Sequence, residues 1–258
     1  MIDKSKIINS SDDDEIKLTL SKACDLYSKA LHTTRIFFTR FLSPLEIMII
    51  NQRFPKNDVK LGFSGGYEDA ERQLCAFYTY EEDAVYPICT LNFKIKSKNS
   101  TLSHRDYLGS VLSLGIKRET IGDIVITDDG AIVFCLEEIA DYIINNLTKI
   151  GGNGVTVTRN TSLDTINIKR DYDQKDTTVS SLRCDTVVAA FLNLSRAKAT
   201  QYIERGLVTL NYETVKSVSE SVKNEDVLSV RGHGKFRVKT DGRLTKKGRI
   251  HITICKYK

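Results

Sequence analysis

Residues 181–211 read SLRCDTVVAAFLNLSRAKATQYIERGLVTLN, and this stretch decides the fold of the last third of the chain. Apolar residues recur at helical spacing over 184–192, which predicts a helix with one buried face. Ser195 is a favourable N-cap for a second helix, and Gly206 stands where helices commonly end in a left-handed residue. A short strand at 208–211 follows, so the stretch predicts two helices that lead into a sheet.

The remainder of this segment adds strands and positive charge. Residues 226–230 predict a second strand, and the alternation of isoleucines over 250–254 predicts a last one. Residues 181–258 contain 16 Lys and Arg against 7 Asp and Glu, a net charge of +9, whereas residues 1–180 contain 22 against 26. A positive charge this localised attracts phosphate backbones, and solubility alone would not require it.

Four short motifs carry a resemblance to a known domain. They lie at 181–185, 195–199, 206–211 and 226–232. Together they are similar to the S4 RNA-binding domain, with Cys184 where that family usually has Leu and Leu210 where it often has Val. Both exchanges are apolar. Asp185 is expected to be a structural partner for a nearby arginine or backbone group rather than a catalytic acid.

The S4 resemblance implies that the second helix and its flanking loop bind structured RNA. The N-terminus of that helix also offers free backbone N–H groups to an anion. Carried over, Ser195, Arg196, Lys198 and Arg205 would face phosphates, with Arg183 beside them. The full set of residues expected to bind RNA in this basic module is Ser181, Arg183, Ser195, Arg196, Lys198, Gln201, Arg205, Asn211, Arg231, Lys235, Arg237, Lys246, Lys247 and Arg249. The alternative is a solvated basic face without a partner.

Residues 86–168 predict a central domain in which the elements follow the order β-α-β-β-α-β. This is the ferredoxin-like pattern shared by RNA-recognition (RRM-like) folds. Ser103 can cap the first of its helices, and Asp128-Asp129-Gly130 is a hairpin turn signal. The aromatic-rich motif of true RNA-recognition sheets is missing. Phe93 falls in the apolar phase of its strand, so we expect it in the core rather than stacked on a base.

A second binding site is possible within this domain, at the two ends of one helix. Its polar residues are His104, Arg105, Lys117 and Arg118. They could contact RNA or a protein partner. Alternatively, the first two satisfy local caps and Asp106, and the other two favour the negative end of the helix dipole. The sequence does not separate these hypotheses.

Residues 1–85 predict an N-terminal α/β domain. Ser43-Pro44-Leu45-Glu46 is a capping box with Pro at the first helical position. Alternation around Leu61 predicts a strand that leads to Gly65-Gly66. This glycine pair lacks the Lys-Ser/Thr of a phosphate-binding loop, so a tight turn is the favoured interpretation. Arg72 is expected to pair with Glu68. The fold class is therefore α+β with three domains.

Over nearly its full length the chain resembles the YlmH family of Gram-positive bacteria. The motifs are Phe63–Tyr67 with Ala70–Arg72, Leu102–Gly109, and Gly115–Glu119 with Gly122–Ile124, followed by the S4 module. The resemblance implies a non-enzymatic cytoplasmic factor that binds ribosomal RNA or tRNA on large ribosomal subunits with stalled peptidyl-tRNA, in ribosome-associated quality control. It also carries a cell-division label. The alternatives are an S4-containing RNA-modifying enzyme, of pseudouridine synthase or methyltransferase type, and a cell-division scaffold.

Composition sets the remaining expectations. The polar run at 169–179 is the best candidate for a flexible linker before an S4 domain at 180–258. The six cysteines form no C-x-x-C pair and the four histidines show no metal spacing, which favours reduced thiols without a metal or cofactor. No segment approaches ~20 continuous apolar residues, and the N-terminus lacks signal-peptide features. We therefore expect a cytoplasmic protein without a membrane partner, and we also expect a monomer.

Overall fold

The structure, a computed structural model, describes residues 2–80, 84–97, 102–160 and 172–257. The chain divides into two compact units, residues 1–168 and residues 169–258. The first unit contains the N-terminal and central domains, and the second contains the S4 module. No helix among the described residues is long and apolar enough to span a membrane.

The N-terminal domain packs helices against a small antiparallel sheet. Its elements are α1 Lys4–Ile8, α2 Asp14–Leu31, β1 Phe37–Phe38, α3 Pro44–Arg53, β2 Lys60–Ser64 and β3 Leu74–Tyr78. The strand order is β1-β3-β2. The expected capping box is confirmed, because the Ser43 amide donates to Glu46 at 2.6 Å and the Glu46 amide donates back to the Ser43 hydroxyl.

The glycine pair forms a tight turn, as expected, but the role predicted for Arg72 was wrong. Gly66 has a φ of +93°, and a Cβ there would lie 2.7 Å from the Phe134 ring. Instead of pairing with Glu68, Arg72 donates to the carbonyl oxygens of Phe41 and Ile121 at 2.8 and 3.1 Å. Burial lowers the pKa of Arg72, although the nearby carboxylates of Glu46 and Asp123 act to raise it.

The Asp123 carboxylate holds the turn that precedes Arg72. Its carboxylate accepts the backbone N–H groups of Glu71 and Arg72 at 2.7 and 3.1 Å. It also accepts the Tyr67 hydroxyl at 2.7 Å. These bonds satisfy two backbone donors outside any helix and fix the turn against the strand that contains Asp123.

The central domain has the expected order of elements. They are β4 Ile88–Ile95, α4 His104–Leu112, a 3₁₀ turn Arg118–Thr120, β5 Ile121–Thr127, β6 Gly130–Leu136, α5 Glu137–Asn146, β7 Lys149–Ile150 and β8 Asn153–Arg159. The antiparallel sheet runs β5-β6-β4-β8-β7, which is the ferredoxin-like strand order with one short strand added. Phe93 is fully buried in the core, as expected. The hairpin turn at Asp128-Asp129 is confirmed by pairing of Thr127 with Gly130.

The S4 module places two helices over a six-stranded antiparallel sheet. Its elements are β9 Tyr172–Val179, α6 Cys184–Leu192, α7 Arg196–Glu204, β10 Val208–Leu210, β11 Glu213–Thr214, β12 Val227–Val230, β13 Gly234–Lys239 and β14 Ile250–Tyr257. The sheet order is β11-β10-β12-β13-β14-β9. Alternate strand residues such as Phe236 and Val238 join Val187 and Val188 of α6 in one buried core.

The prediction of a flexible linker at 169–179 was wrong for residues 172–179. This segment is β9, which pairs with β14 at eight positions from Tyr257↔Tyr172 to Ile250↔Val179. Residues 169–171 lie outside the described residues. The composition was misleading because β9 is an edge strand with half of its residues exposed, so polar side chains suffice there and the backbone hydrogen bonds to β14 hold the strand in place.

Candidate nucleic-acid interface

Local sequence signals determine where α6 ends and α7 begins, and these two helices form the candidate interface. Asn193 adopts a left-handed conformation with a φ of 55°, which terminates α6. Ser195 then caps α7, because its hydroxyl accepts the Lys198 amide at 3.3 Å, as the sequence predicts. Gly206, with a φ of +66°, ends α7. Two helices are thus joined by a short turn, and α7 is fixed from both ends.

Asp185 is the centre of the polar contacts between the two helices. It is 2% exposed, and its carboxylate accepts hydrogen bonds from three side chains. Arg183 donates at 3.3 and 3.1 Å, Thr186 at 3.1 Å, and Arg196 at 2.9 Å. The expectation of a structural partner for a nearby arginine is confirmed, and the partner is two arginines.

The charge state of Asp185 follows from these contacts. Burial alone would raise the pKa of its carboxyl, but the hydrogen bonds from Arg183, Arg196 and Thr186 outweigh burial and hold the pKa below its ordinary value. One carboxylate therefore fixes two guanidinium groups, and a net positive charge remains. The Arg183 and Arg196 side chains are 37% and 54% exposed, so their other N–H groups face solvent.

The exposed face of α7 continues this positive surface. Lys198, Gln201 and Arg205 are exposed, while Ala199 and Ile203 are buried beneath them. The three exposed residues are spaced by three and four positions, so they form one stripe along the helix. Arg183, at the start of α6, therefore lies together with Arg196, Lys198, Gln201 and Arg205 on α7. Ser181 lies next to them, because its hydroxyl is 3.3 Å from that of Thr186.

Asn211 belongs to the fold rather than to this surface. It has a φ of 47°, its side-chain amide donates to Asp226 at 2.9 Å, and its side-chain oxygen accepts the Val227 amide at 3.0 Å. Both halves of the side chain are used to connect the end of β10 with the start of β12. We therefore place Asn211 among the residues that build the module.

Lys235 and Arg237 lie on the opposite face of the sheet from the helices. They alternate along β13 with Phe236 and Val238, which face the core. The Lys235 ammonium lies 4.2 Å from the Tyr257 ring centroid, and Arg237 is 3.5 Å from a Glu225 carboxylate oxygen. The predicted RNA-binding residues therefore do not form a single surface.

Four further predicted residues lie on exposed turns. Lys246 and Lys247 belong to the connection between β13 and β14, and Arg231 to the turn after β12. Arg249 donates to the hydroxyl and the carbonyl oxygen of Thr178 at 2.9 and 2.5 Å. This contact holds the basic connection against the end of β9, just before the chain enters α6.

The second candidate site in the central domain divides into exposed residues and one half-buried residue. His104, Arg105 and Lys117 are exposed. Asp106 accepts the Ser103 amide and hydroxyl, both at 2.7 Å, and so caps α4. Arg118 instead donates to the Ile121 carbonyl at 2.6 Å, and burial lowers its pKa to about 10, with the charge of Arg72 acting in the same direction. Arg118 is therefore a structural residue, and the four positions do not form one cationic site.

Sequence reasoning missed the shared use of Asp185 by Arg183 and Arg196. The only local signal was the spacing of Arg183 and Asp185, since Arg196 arrives from the next helix. In the part of the chain that the structure describes, no group of three or more His, Cys, Asp or Glu residues could hold a metal ion. The arrangement can bind anions through fixed guanidinium groups and exposed lysines.

Three family models match successive segments of the chain. Residues 15–81 match the family described as "YlmH, N-terminal", residues 81–164 match "Putative RNA-binding domain in YlmH", and residues 182–228 match the S4 domain. The chain is 34% identical over 229 residues to "Ribosome-associated protein quality control protein P2" of Bacillus subtilis (strain 168), covering 87% of this chain and 88% of that protein.

A solved structure is also similar. "Cell division protein ylmH from Streptococcus pneumoniae" superposes with a TM-score of 0.52 at 17% sequence identity, over 61% of this chain and 98% of that chain. At this level of identity the likeness shows the fold alone.

Proposed function

This chain belongs to the YlmH family, and from that premise we propose that it is a non-catalytic factor that binds ribosomal RNA and tRNA on the large ribosomal subunit. We further propose that it acts in the cytoplasm, as a monomer, on subunits that carry stalled peptidyl-tRNA. Ribosome-associated quality control is what the name of the Bacillus subtilis relative states for that protein.

The observation that carries the proposal is the arginine pair fixed by Asp185. Arg196 and Arg183 are held by a buried carboxylate, so their guanidinium groups keep one position before a ligand arrives. An arginine side chain that is already ordered loses less conformational entropy when it binds a phosphate. Two guanidinium groups against one carboxylate leave positive charge at the surface, in a module that carries a net charge of +9.

The primary RNA surface is therefore proposed to be the α6–α7 face. It comprises Ser181, Arg183, Ser195, Arg196, Lys198, Gln201 and Arg205. The exposed basic connection with Lys246, Lys247 and Arg249, together with Arg231, would extend the contact to further phosphates. Lys235 and Arg237, on the other face of the sheet, could reach only a separate part of a large RNA. A particle that surrounds the module would offer such a second contact.

A sedimentation experiment tests the proposal. Lysate that contains the tagged protein is separated on a sucrose gradient, and the fractions are probed for the protein, the two ribosomal subunits and tRNA. We expect the protein to migrate with the large subunit and with tRNA, and to leave it as salt is raised. The variant Arg196→Ala with Lys198→Ala should migrate near the top of the gradient.

The matched control removes the same charge from the same module at other positions. Lys239 and Lys256 are exposed on β13 and β14. The variant Lys239→Ala with Lys256→Ala should stay with the large subunit. Equal release of both double variants would mean that net charge, rather than the α6–α7 face, produces the association. Wild-type protein that never enters the large-subunit fractions would contradict the proposal itself.

A further inference from the structure

Two cysteines face each other across the middle of the central sheet. Cys89 on β4 is the register partner of Cys135 on β6. Both side chains are on the face that packs against α4 and α5, and they are 6% and 0% exposed. Residues directly opposite in an antiparallel pair have Cα atoms about 4.5–5.5 Å apart, which lies within the ~4.4–6.8 Å that a disulfide spans.

A guanidinium group lies against one of the two sulfur atoms. Arg159, at the end of β8, places Nη1 3.4 Å from the Cys89 sulfur. The first turns of α5 hold the same group, because Nε and Nη2 donate to Asp141 at 3.2 and 2.9 Å, and Nη1 also contacts Glu137. The positive group is thus fixed beside Cys89 rather than free to swing into solvent.

The two thiols consequently differ in acidity. A hydrogen bond from the Cys135 thiol lowers the pKa of Cys89, and Arg159 adds to this effect, while burial and the Glu137 charge oppose it. The same hydrogen bond and burial raise the pKa of Cys135. Because the Arg159 guanidinium lies against the Cys89 sulfur, we assign Cys89 as the member that ionises first and acts as the nucleophile, since the thiolate is the reactive form.

The other four cysteines provide an internal contrast. Burial raises the pKa of Cys24 to about 11 and that of Cys184 to about 12, and it also raises the pKa of Cys75 and Cys255. Across their sheets, Cys75 faces Phe63 and Cys255 faces Arg237 and Gln174, so these two lack a cysteine as register partner.

We propose that Cys89 and Cys135 form a peroxide-sensitive dithiol, in which Cys89 is oxidised first and Cys135 closes the disulfide. The Cys89 thiolate attacks one oxygen of hydrogen peroxide, forms a sulfenic acid and releases hydroxide. The proton that Cys89 released neutralises this hydroxide. The Cys135 sulfur then displaces the sulfenic oxygen, which takes the Cys135 proton and leaves as water. Two thiols and one peroxide give one disulfide and two waters. Cys89 retains 6% exposure whereas Cys135 has none, so we expect peroxide to reach Cys89 first.

The test uses the native full-length protein and peroxide. After treatment, remaining thiols are alkylated in denaturant, and the digest is examined by mass spectrometry. We expect one main product, a Cys89–Cys135 linked peptide two hydrogen masses below the reduced pair, with the other four cysteines alkylated. In Cys135→Ser, dimedone should trap a sulfenic acid at Cys89. In Cys89→Ser, Cys135 should remain reduced. Arg159→Gln should slow disulfide formation several-fold.

Three results would overturn the proposal. The first is oxidation spread evenly over the six cysteines. The second is absence of the Cys89–Cys135 peptide at a peroxide concentration that oxidises glutathione in the same tube. The third is faster oxidation of Cys135 than of Cys89 when each is the remaining member of the pair. The first two are read on wild-type protein, so they do not depend on a variant that folds, and neither depends on RNA binding.

Discussion

Arg196 donates from Nε to the Asp185 carboxylate at 2.9 Å, across eleven residues of sequence and between two helices. The buried acid therefore orders a residue on the exposed face of the neighbouring helix. Arg196 is therefore an exposed cation that a buried residue holds in place. The contact determines what substitution of Arg196 or of Asp185 should do.

Removing Arg196 and Lys198 together should weaken RNA binding for all sequences tested. The two side chains are expected to contact about two phosphates, so the slope of log affinity against log salt should become shallower by roughly 1.4–1.8, at ~0.7–0.9 per phosphate. Filter binding or fluorescence anisotropy at several salt concentrations measures this slope. An unchanged slope would exclude the α6–α7 face as the phosphate contact.

Substitution of Asp185 should make stability less dependent on acid. The folded-state pKa of Asp185 lies below its ordinary value. Its contribution is therefore complete above the unfolded pKa, near 3.9, and disappears as pH falls through the folded pKa. Asp185→Asn should cost roughly 1.5–3 kcal/mol at pH 7, since hydrogen bonds to a charged group are lost. Urea titrations from pH 7 to pH 3 should show the difference between variant and wild type shrink.

Ser195 offers a way to separate the cap from the phosphate contact. Ser195→Ala should lower the free energy of unfolding by about 1 kcal/mol, because the Lys198 amide loses its acceptor. Ser195→Asp should keep the cap and the stability, yet weaken RNA binding through repulsion of phosphate. Chemical denaturation and RNA titration on the same preparations distinguish the two effects. Loss of stability in both variants would mean that the hydroxyl has another role.

The edge strand β9 should decide whether the S4 module folds alone. A fragment of residues 169–258 keeps β9, whereas a fragment of residues 180–258 loses its eight paired positions. At roughly 0.2–1 kcal/mol per cross-strand pair, the loss approaches the whole stability of a small domain. Circular dichroism should show cooperative melting only for the longer fragment. Equal melting of both fragments would show that the strand is dispensable.

Arg105→Ala tests the second candidate site. Arg105 is exposed at the start of α4, where Asp106 and Ser103 already supply the cap. If the site does not bind RNA, affinity for ribosomal RNA should remain within about twofold of wild type, since surface substitutions away from a contact change free energies by about ±0.5 kcal/mol. A larger loss, with unchanged circular dichroism, would place part of the RNA surface in the central domain.

Local signals in the sequence predicted local structure well. The Ser43 box, the Ser195 cap and the left-handed Gly206 each depend on residues within four positions, so each can be recognised without knowing the fold. The ferredoxin-like order of elements could also be predicted from the sequence, because apolar residues change clearly between strand alternation and helical spacing along the central domain.

Contacts between distant segments were not accessible in the same way. The Asp123 carboxylate accepts hydrogen bonds from backbone N–H groups about fifty residues earlier in the chain. The sequence around Glu71 does not indicate which distant residue will accept these hydrogen bonds. The polar composition of 172–179 favoured a linker because an edge strand needs few apolar side chains. For the candidate interface, the residue types were accessible, but the separation of Arg196 from Lys235 onto different faces requires the sheet.

The pairing of β9 with β14 joins the first strand of the module to the last one in the chain. During synthesis, the two helices emerge and can pack long before residues 250–257 exist. Until residues 250–257 have been made, β9 has no strand to pair with and the sheet of the module is incomplete. A nascent chain that stops short of Ile250 would therefore present an unpaired strand as a marker of incompleteness, available to proteases or to pairing with another chain.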